Sequence, residues 1–238
     1  IIPNSKVYNT AMPGAGNGYI SRAVIYKVNE MLEQGEKPDY VFIQFTACDR
    51  KELLLNVDDA STENDRNLLT HFIPSLDGGM DTGIDWNKVK EQNNNMLWLK
   101  HSYTDESMMK HWYKYYHSIE VGYLKTLEHI LRLQWFFKAN DINYKMFCGW
   151  GLFHELPKIP RQPIELRHLW SMVEWDNFWF HKRLGGITEW SRDNLPFEER
   201  FVTGDRKTED GNALDEHPSN KAHKTFAKEV VSKWINNT

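Results

Sequence analysis

Two apolar runs constrain this chain most: Tyr40-Val41-Phe42-Ile43-Gln44-Phe45 and Tyr144-Lys145-Met146-Phe147-Cys148. Each is too short for a helix and too continuously apolar for a strand with one wet face. Such runs read as buried strands of a parallel sheet. A helical stripe precedes each of them. Ile20, Ala23, Val24, Tyr26, Val28, Met31 and Leu32 mark a helix that starts after the Pro13-Gly14-Ala15-Gly16-Asn17 turn, with Asn17 as its N-cap, and ends near Gln34-Gly35. Thr104-Asp105-Glu106 opens a second, long helix, whose stripe runs from Met108 and Trp112 to Ile130, Leu131 and Trp135 and which ends near Ala139-Asn140. Lys6 to Met12 alternates as a short strand. Strand, glycine turn, helix and buried strand make a right-handed βαβ unit, and the alternation predicts a doubly wound α/β sheet.

A chain of 238 residues can bury a sizeable core, and no linker divides it, so one domain over 1–238 is expected, with insertions at about 51–103 and 150–210. Residues 51–103 read as polar and irregular, a lid or binding insertion. Trp170–Trp190 carries no assignable pattern.

With 29 basic and 33 acidic residues and a formal net charge of -4, the chain lacks the basic surplus of a nucleic-acid footprint. No apolar run approaches the length of a membrane span. Cys48 and Cys148 lie at or near the ends of strand-like runs, where free buried thiols are the default; this mildly favours a reducing, cytoplasmic setting. No Cys/His spacing points to zinc or another metal. Ten Trp, ten Tyr and twelve Phe are a heavy aromatic load, most of it expected in the core. The chain begins Ile1-Ile2-Pro3, with no Met and no charged and apolar leader pattern, and the expectation is a missing start.

The densest chemistry lies near the C-terminus. Asp215-Glu216-His217-Pro218-Ser219 puts a carboxylate two residues before an imidazole, ahead of an amphipathic helix bearing Ala222, Phe226, Ala227, Val230, Val231, Trp234 and Ile235. Pro218 and Ser219 are helix-start residues. A carboxylate that sets the tautomer of a His frees the other ring nitrogen to take a proton. An isolated D-x-H is more often a surface turn. Here two other segments, Pro13–Asn17 and Thr46-Ala47-Cys48-Asp49-Arg50, should also meet at the carboxyl ends of the strands, where such sheets bind ligands.

That combination resembles the SGNH, or GDSL-like, hydrolases, a flavodoxin-like family of esterases, lipases and carbohydrate acetyl-esterases. The resemblance covers most of the chain outside the two insertions. Asn9-Thr10-Ala11-Met12-Pro13-Gly14 is similar to the family's second block, which implies Gly14 as an oxyanion N–H donor. Thr46-Ala47-Cys48-Asp49 stands where the family has G-x-N-D, with Cys48 in place of the Asn donor; a thiol is a poor donor, and Arg50 or Gln44 are substitutes. The bland role of Arg50 is an ion pair with Asp49 or Glu52. D-x-H-P-S is similar to the D-x-x-H-P block, one residue shorter, and Asp210 is a backup carboxylate.

The resemblance implies a flavodoxin-like three-layer α/β/α sheet and a serine ester hydrolase acting on acyl or acetyl esters, carbohydrate esters among them. His217 would be the base, Asp215 its orienting group, and Gly14, Cys48, Asp49 and Arg50 the oxyanion and substrate-binding set, with no cofactor and no metal. The family's first block, the strand carrying the nucleophilic Ser in G-D-S, has no counterpart here. In the strand order 2-1-3-4-5 that strand is central, and its absence leaves Lys6–Met12 and Tyr40–Phe45 without a neighbour. Unpaired buried backbone groups cost on the order of 1–3 kcal/mol each. A preceding segment is expected first, then a strand from another chain, then direct pairing of the two strands. The Ser is therefore expected upstream of residue 1. The alternative is an inactive SGNH-like binding or structural protein. A phosphate loop at Pro13–Asn17 is disfavoured, because it matches neither G-x-G-x-x-G nor the Walker pattern. His111, His117, His129 and His223 read as structural, and His181 as the one other candidate for ligand contact.

Overall fold

The computed structural model describes residues 5–11, 15–48, 50, 52–56, 72–73, 96–100, 114–116, 118–153, 162–204, 207, 209 and 215–236. Both apolar runs form strands, β1 (Val41–Phe45) and, later in the chain, β5 (Tyr144–Cys148). They pair in parallel, Val41 opposite Tyr144 and Phe45 opposite Cys148. Phe178 extends the sheet by one parallel bridge to Met146, with Trp179 N–H donating to the Met146 carbonyl at 2.7 Å. The fold is thus a mixed α/β arrangement around a small parallel sheet.

Helix α1 (Asn17–Glu33) ends at Gln34, close to the predicted stop. Its start differs from expectation. Gly16 is the N-cap and Asn17 is already helical. The Asn17 side chain is buried and does other work: its oxygen accepts from Thr46 N–H at 2.9 Å, and its amide donates to the Thr46 carbonyl and to Thr126 Oγ1, both at 3.1 Å. A capping residue would have spent that side chain on its own helix. Here it ties α1 to the end of β1 and to α2 (Ile119–Ala139).

The long helix is shorter than its sequence stripe. Ser118 caps α2, its hydroxyl accepting from Val121 N–H at 3.2 Å. Tyr115 and Tyr116, on the predicted apolar stripe, are exposed; residues 101–113 and His117 lie outside the described residues. Leu127, Ile130, Leu131 and Phe137 of α2 are buried against Ile43, Phe45, Met146 and Cys148. Each such side chain contributes about 1.5–3 kcal/mol of hydrophobic stabilisation. Phe153, Trp170, Trp175, Phe178 and Phe180 close this core as a set of ring contacts. Trp170 comes from α3 (Ile164–Met172) and Trp175 from a 3-10 turn, Trp175–Asn177, which resolves most of the segment the sequence left unassigned.

The other face of the sheet carries a second apolar cluster. Phe147 packs with Ile187 and Trp190 of α4 (Ile187–Asn194) and with Ala222 and Phe226 of α6 (Asn220–Phe226), beyond the short α5 (Phe197–Arg200). The chain then runs through a π-helical turn, Ala227–Val231, into α7 (Ser232–Asn236), whose Trp234 ring reaches Phe42 and Phe147. β1 is not buried on both faces, as its composition predicted: Phe42 and Gln44 are exposed while Ile43 and Phe45 are buried.

Two further expectations are overturned. Residues 6–11 form no strand. Polar side chains hold them instead: Lys6 Nζ and Tyr8 Oη bond Glu36 at 3.3 and 3.2 Å, and Asn9 Oδ1 accepts from Ala11 N–H at 3.0 Å, while Val7 is exposed. A strand with no ladder partner loses to such side-chain bonds. Direct pairing with β1 is therefore absent as well. The 51–103 insertion is not irregular throughout, because β2 (Glu52–Asn56), β3 (Phe72–Ile73) and β4 (Met96–Lys100) form an antiparallel sheet in the order β2-β4-β3. The short runs Leu53-Leu54-Leu55 and Leu97-Trp98-Leu99 lie opposite each other in it. Among the described residues no helix is long and apolar enough to cross a membrane.

Candidate functional site

The loop that carries the Asp and His is clamped on both sides. Phe201 and Pro218 form an antiparallel bridge, with Val202 N–H donating to the His217 carbonyl and Ser219 N–H to the Arg200 carbonyl, both at 3.0 Å. Thr203 Oγ1 donates to the Asp215 carbonyl at 3.2 Å. Ser219 caps α6 by accepting from Ala222 N–H at 3.0 Å, and its hydroxyl donates to the Glu199 carbonyl. Buried Ala222 and Phe226 then hold that helix in place. The backbone of 215–219 is thereby fixed while the His217 and Asp215 side chains stay 59% and 45% exposed.

Asp215 Oδ1 accepts twice from His217, from the backbone N–H at 2.9 Å and from ring Nδ1 at 2.5 Å. The first of these bonds, then the second, holds the Asp215 carboxyl below the ordinary carboxylate range. With Nδ1 carrying the proton, Nε2 presents its lone pair, and among the described residues nothing bonds it. The shorter D-x-H spacing thus still lets the carboxylate meet the imidazole. The Trp150 ring stands at 88° to His217, centroids 5.6 Å apart, and the Arg50 guanidinium lies over Trp150 at 5.3 Å.

These side chains line a cleft of about 920 Å³. Its walls come from the ends of successive strands: Arg50 after β1, Trp150 and Gly151 after β5, and Arg183 to Gly185 after the Phe178 bridge. Thr188, Glu189 and Arg192 of α4 and the Asp215–His217 loop complete it. The α4 wall is pressed against the end of β5. A Cβ on Gly186 would lie 2.4 Å from the Cys148 carbonyl oxygen and 2.6 Å from Trp150 N, so only glycine fits. Thr188 N–H donates to the Gly149 carbonyl at 2.8 Å, and Gly186 N–H donates to Glu189 Oε2 at 2.7 Å.

Of the residues predicted from sequence, Asp215, His217 and Arg50 meet in this cleft. Arg50 places its guanidinium over the Trp150 ring at 5.3 Å, and the side chains of Asp49 and Glu52, its expected partners, lie outside the described residues. Cys48 does not line the cleft; its Sγ lies against Gly122 of α2, 3.3 Å from where a Cβ would be. Gly14, Asp49 and Asp210 lie outside the described residues. Gln44 Nε2 approaches Gly149. His181 is outside the lining: its Nε2 bonds Asp193 Oδ2 at 2.6 Å, pinning the hairpin 181–185 to α4. Trp150, Arg183, Thr188, Glu189 and Arg192 were not foreseen. The available signal was position, since Gly149-Trp150-Gly151 directly follows a strand and Gly185-Gly186 directly precedes a helix.

No protein-family model, no curated protein and no solved structure matches the chain.

Proposed function

We propose that the Asp215–His217 pair is the proton-transfer half of an SGNH-type ester hydrolase. One observation carries this reading: His217 gives Nδ1 to a carboxylate and lines a cleft formed at the carboxyl ends of parallel strands. Support for the flavodoxin-like arrangement comes from the parallel order β1, β5, Phe178, with apolar clusters on both faces. No described strand borders the other edge of β1, which is where the family's first strand would lie.

In this reading a Ser Oγ from that strand, upstream of residue 1, attacks the ester carbonyl and passes its proton to His217 Nε2. Asp215 holds the ring and stabilises the imidazolium. The imidazolium protonates the leaving alkoxide as the C–O bond breaks, and a water then repeats the sequence on the acyl-enzyme. Hydrolysis of 4-nitrophenyl acetate by the full-length gene product should fall on the order of 10³-fold or more in His217→Ala. Activity that survives this substitution refutes the role of His217.

The second reading is a binding protein of the same ancestry without catalysis. The lining residues favour it in one respect, because the described ones include neither Ser nor Cys. A fluorophosphonate probe separates the two: covalent labelling of a Ser in the full-length product excludes the binding protein, and no labelling excludes the hydrolase.

A further inference from the structure

Among the described residues the cleft is lined by three arginines and three carboxylates, and their partners are distributed unevenly. Each carboxylate is engaged. Asp215 takes two bonds from His217, Glu216 pairs with Arg192 at 2.6 Å, and Glu189 takes the Gly186 N–H at the start of α4. Two guanidiniums remain. Among the described residues no carboxylate or carbonyl accepts from Arg50 or Arg183. Arg183 is exposed at the mouth, so water serves it at little cost. Arg50 is half-buried, its guanidinium carbon 5.3 Å from the centre of an aromatic ring, and a partly desolvated cation with unspent donors is costly unless it meets an acceptor. The Trp150 ring beneath Arg50 is also the ring that abuts His217, so the Arg50 donors share a ring neighbour with the base.

Balanced formal charge makes the cleft no simple anion sink. The asymmetry lies in hydrogen-bonding capacity: among the described residues the carboxylates are engaged and the guanidiniums of Arg50 and Arg183 are not. A guanidinium fork fits the paired oxygens of a carboxylate or phosphate and gives charge-assisted bonds. We propose that the cleft recognises an oxyanion group on its ligand, a carboxylate or a phosphate monoester, through Arg50 and Arg183. The substrate of His217 is then an anionic ester rather than a neutral one. The substrate clause rests on the hydrolase reading above; the binding clause does not.

Calorimetric titration of the protein with monomethyl succinate, glycerol phosphate and neutral dimethyl succinate tests this directly. The anion that matches the site binds at least about tenfold more tightly than the neutral diester, as charge-assisted bonds require. Which of the two anions binds identifies the oxyanion. Arg50→Gln and Arg183→Gln together erase the difference, and raising the salt concentration weakens it. His217→Ala leaves it intact, so a failed hydrolase reading would not disturb the result. Equal binding of charged and neutral probes overturns the proposal, as does no binding of either anion at millimolar concentration, or a preference that survives the double arginine substitution. Neither Arg183 nor Arg50 belongs to a core cluster, so circular dichroism should show the variants folded.

Discussion

Gly186→Ala tests how the cleft wall is built. At φ −108° and ψ −155° the residue has an extended backbone that alanine adopts freely, so the cost is steric alone. The added Cβ would meet Cys148 O at 2.4 Å, Trp150 N at 2.6 Å and Gly149 C at 2.8 Å, three backbone atoms with no rotamer to give way. Restoring ordinary contact distances needs α4 to retreat from β5 by about 1 Å, and overpacking of this kind costs about 1–3 kcal/mol. The retreat also strains the Thr188 N–H bond to Gly149, 2.8 Å long, whose loss adds about 1 kcal/mol. The expected destabilisation is about 3 kcal/mol, a drop of about 1 M in the urea midpoint at a slope of ~3 kcal/mol/M. Tryptophan fluorescence would follow the unfolding. Gly35→Ala is the control, because at φ +76° nothing lies within 4 Å of its Cβ, so only left-handed strain of about 1–2 kcal/mol applies. If Gly186→Ala costs no more than Gly35→Ala, the close approach of α4 to β5 is not as described, and the cleft wall with it.

Two further perturbations probe the clamps. Asp215 is stabilised as the carboxylate by His217, so its folded pKa lies below its unfolded one. Its contribution to stability is therefore present above the ordinary carboxylate range and lost as pH falls through the folded value. NMR of the Asp215 carboxyl carbon should show titration below that of a free Asp, moving upward in His217→Ala; an unchanged titration would break the link between the two residues. Asn17→Ala removes bonds to part-buried Thr46 and buried Thr126 and leaves those groups without a partner. It should cost about 1–3 kcal/mol in chemical denaturation, and a change within ~0.5 kcal/mol would show that water replaces the amide.

The sequence was sufficient wherever one short-range rule decided the outcome. Continuous apolar runs became β1 and β5, Ser219 capped the helix that Pro218 leads into, and the two-residue spacing of Asp215 and His217 allowed their bond. Where competing partners were needed, it was not. Lys6–Met12 alternates like a strand, but a strand exists only with a ladder neighbour, and Glu36 and local turns hold its polar groups instead. Asn17 has the residue type of a cap, yet Thr46 and Thr126 claim its side chain from distant segments. The Asp215–His217 dyad was legible because its two groups are neighbours in the chain. Trp150, Arg50, Arg183 and Arg192 come to the same cleft from three strand ends and a helix, and only the packing of α4 on β5, closed over a glycine, brings them there. Local chemistry thus settled which carboxylate holds the His217 ring, and tertiary contact decided what surrounds the pair.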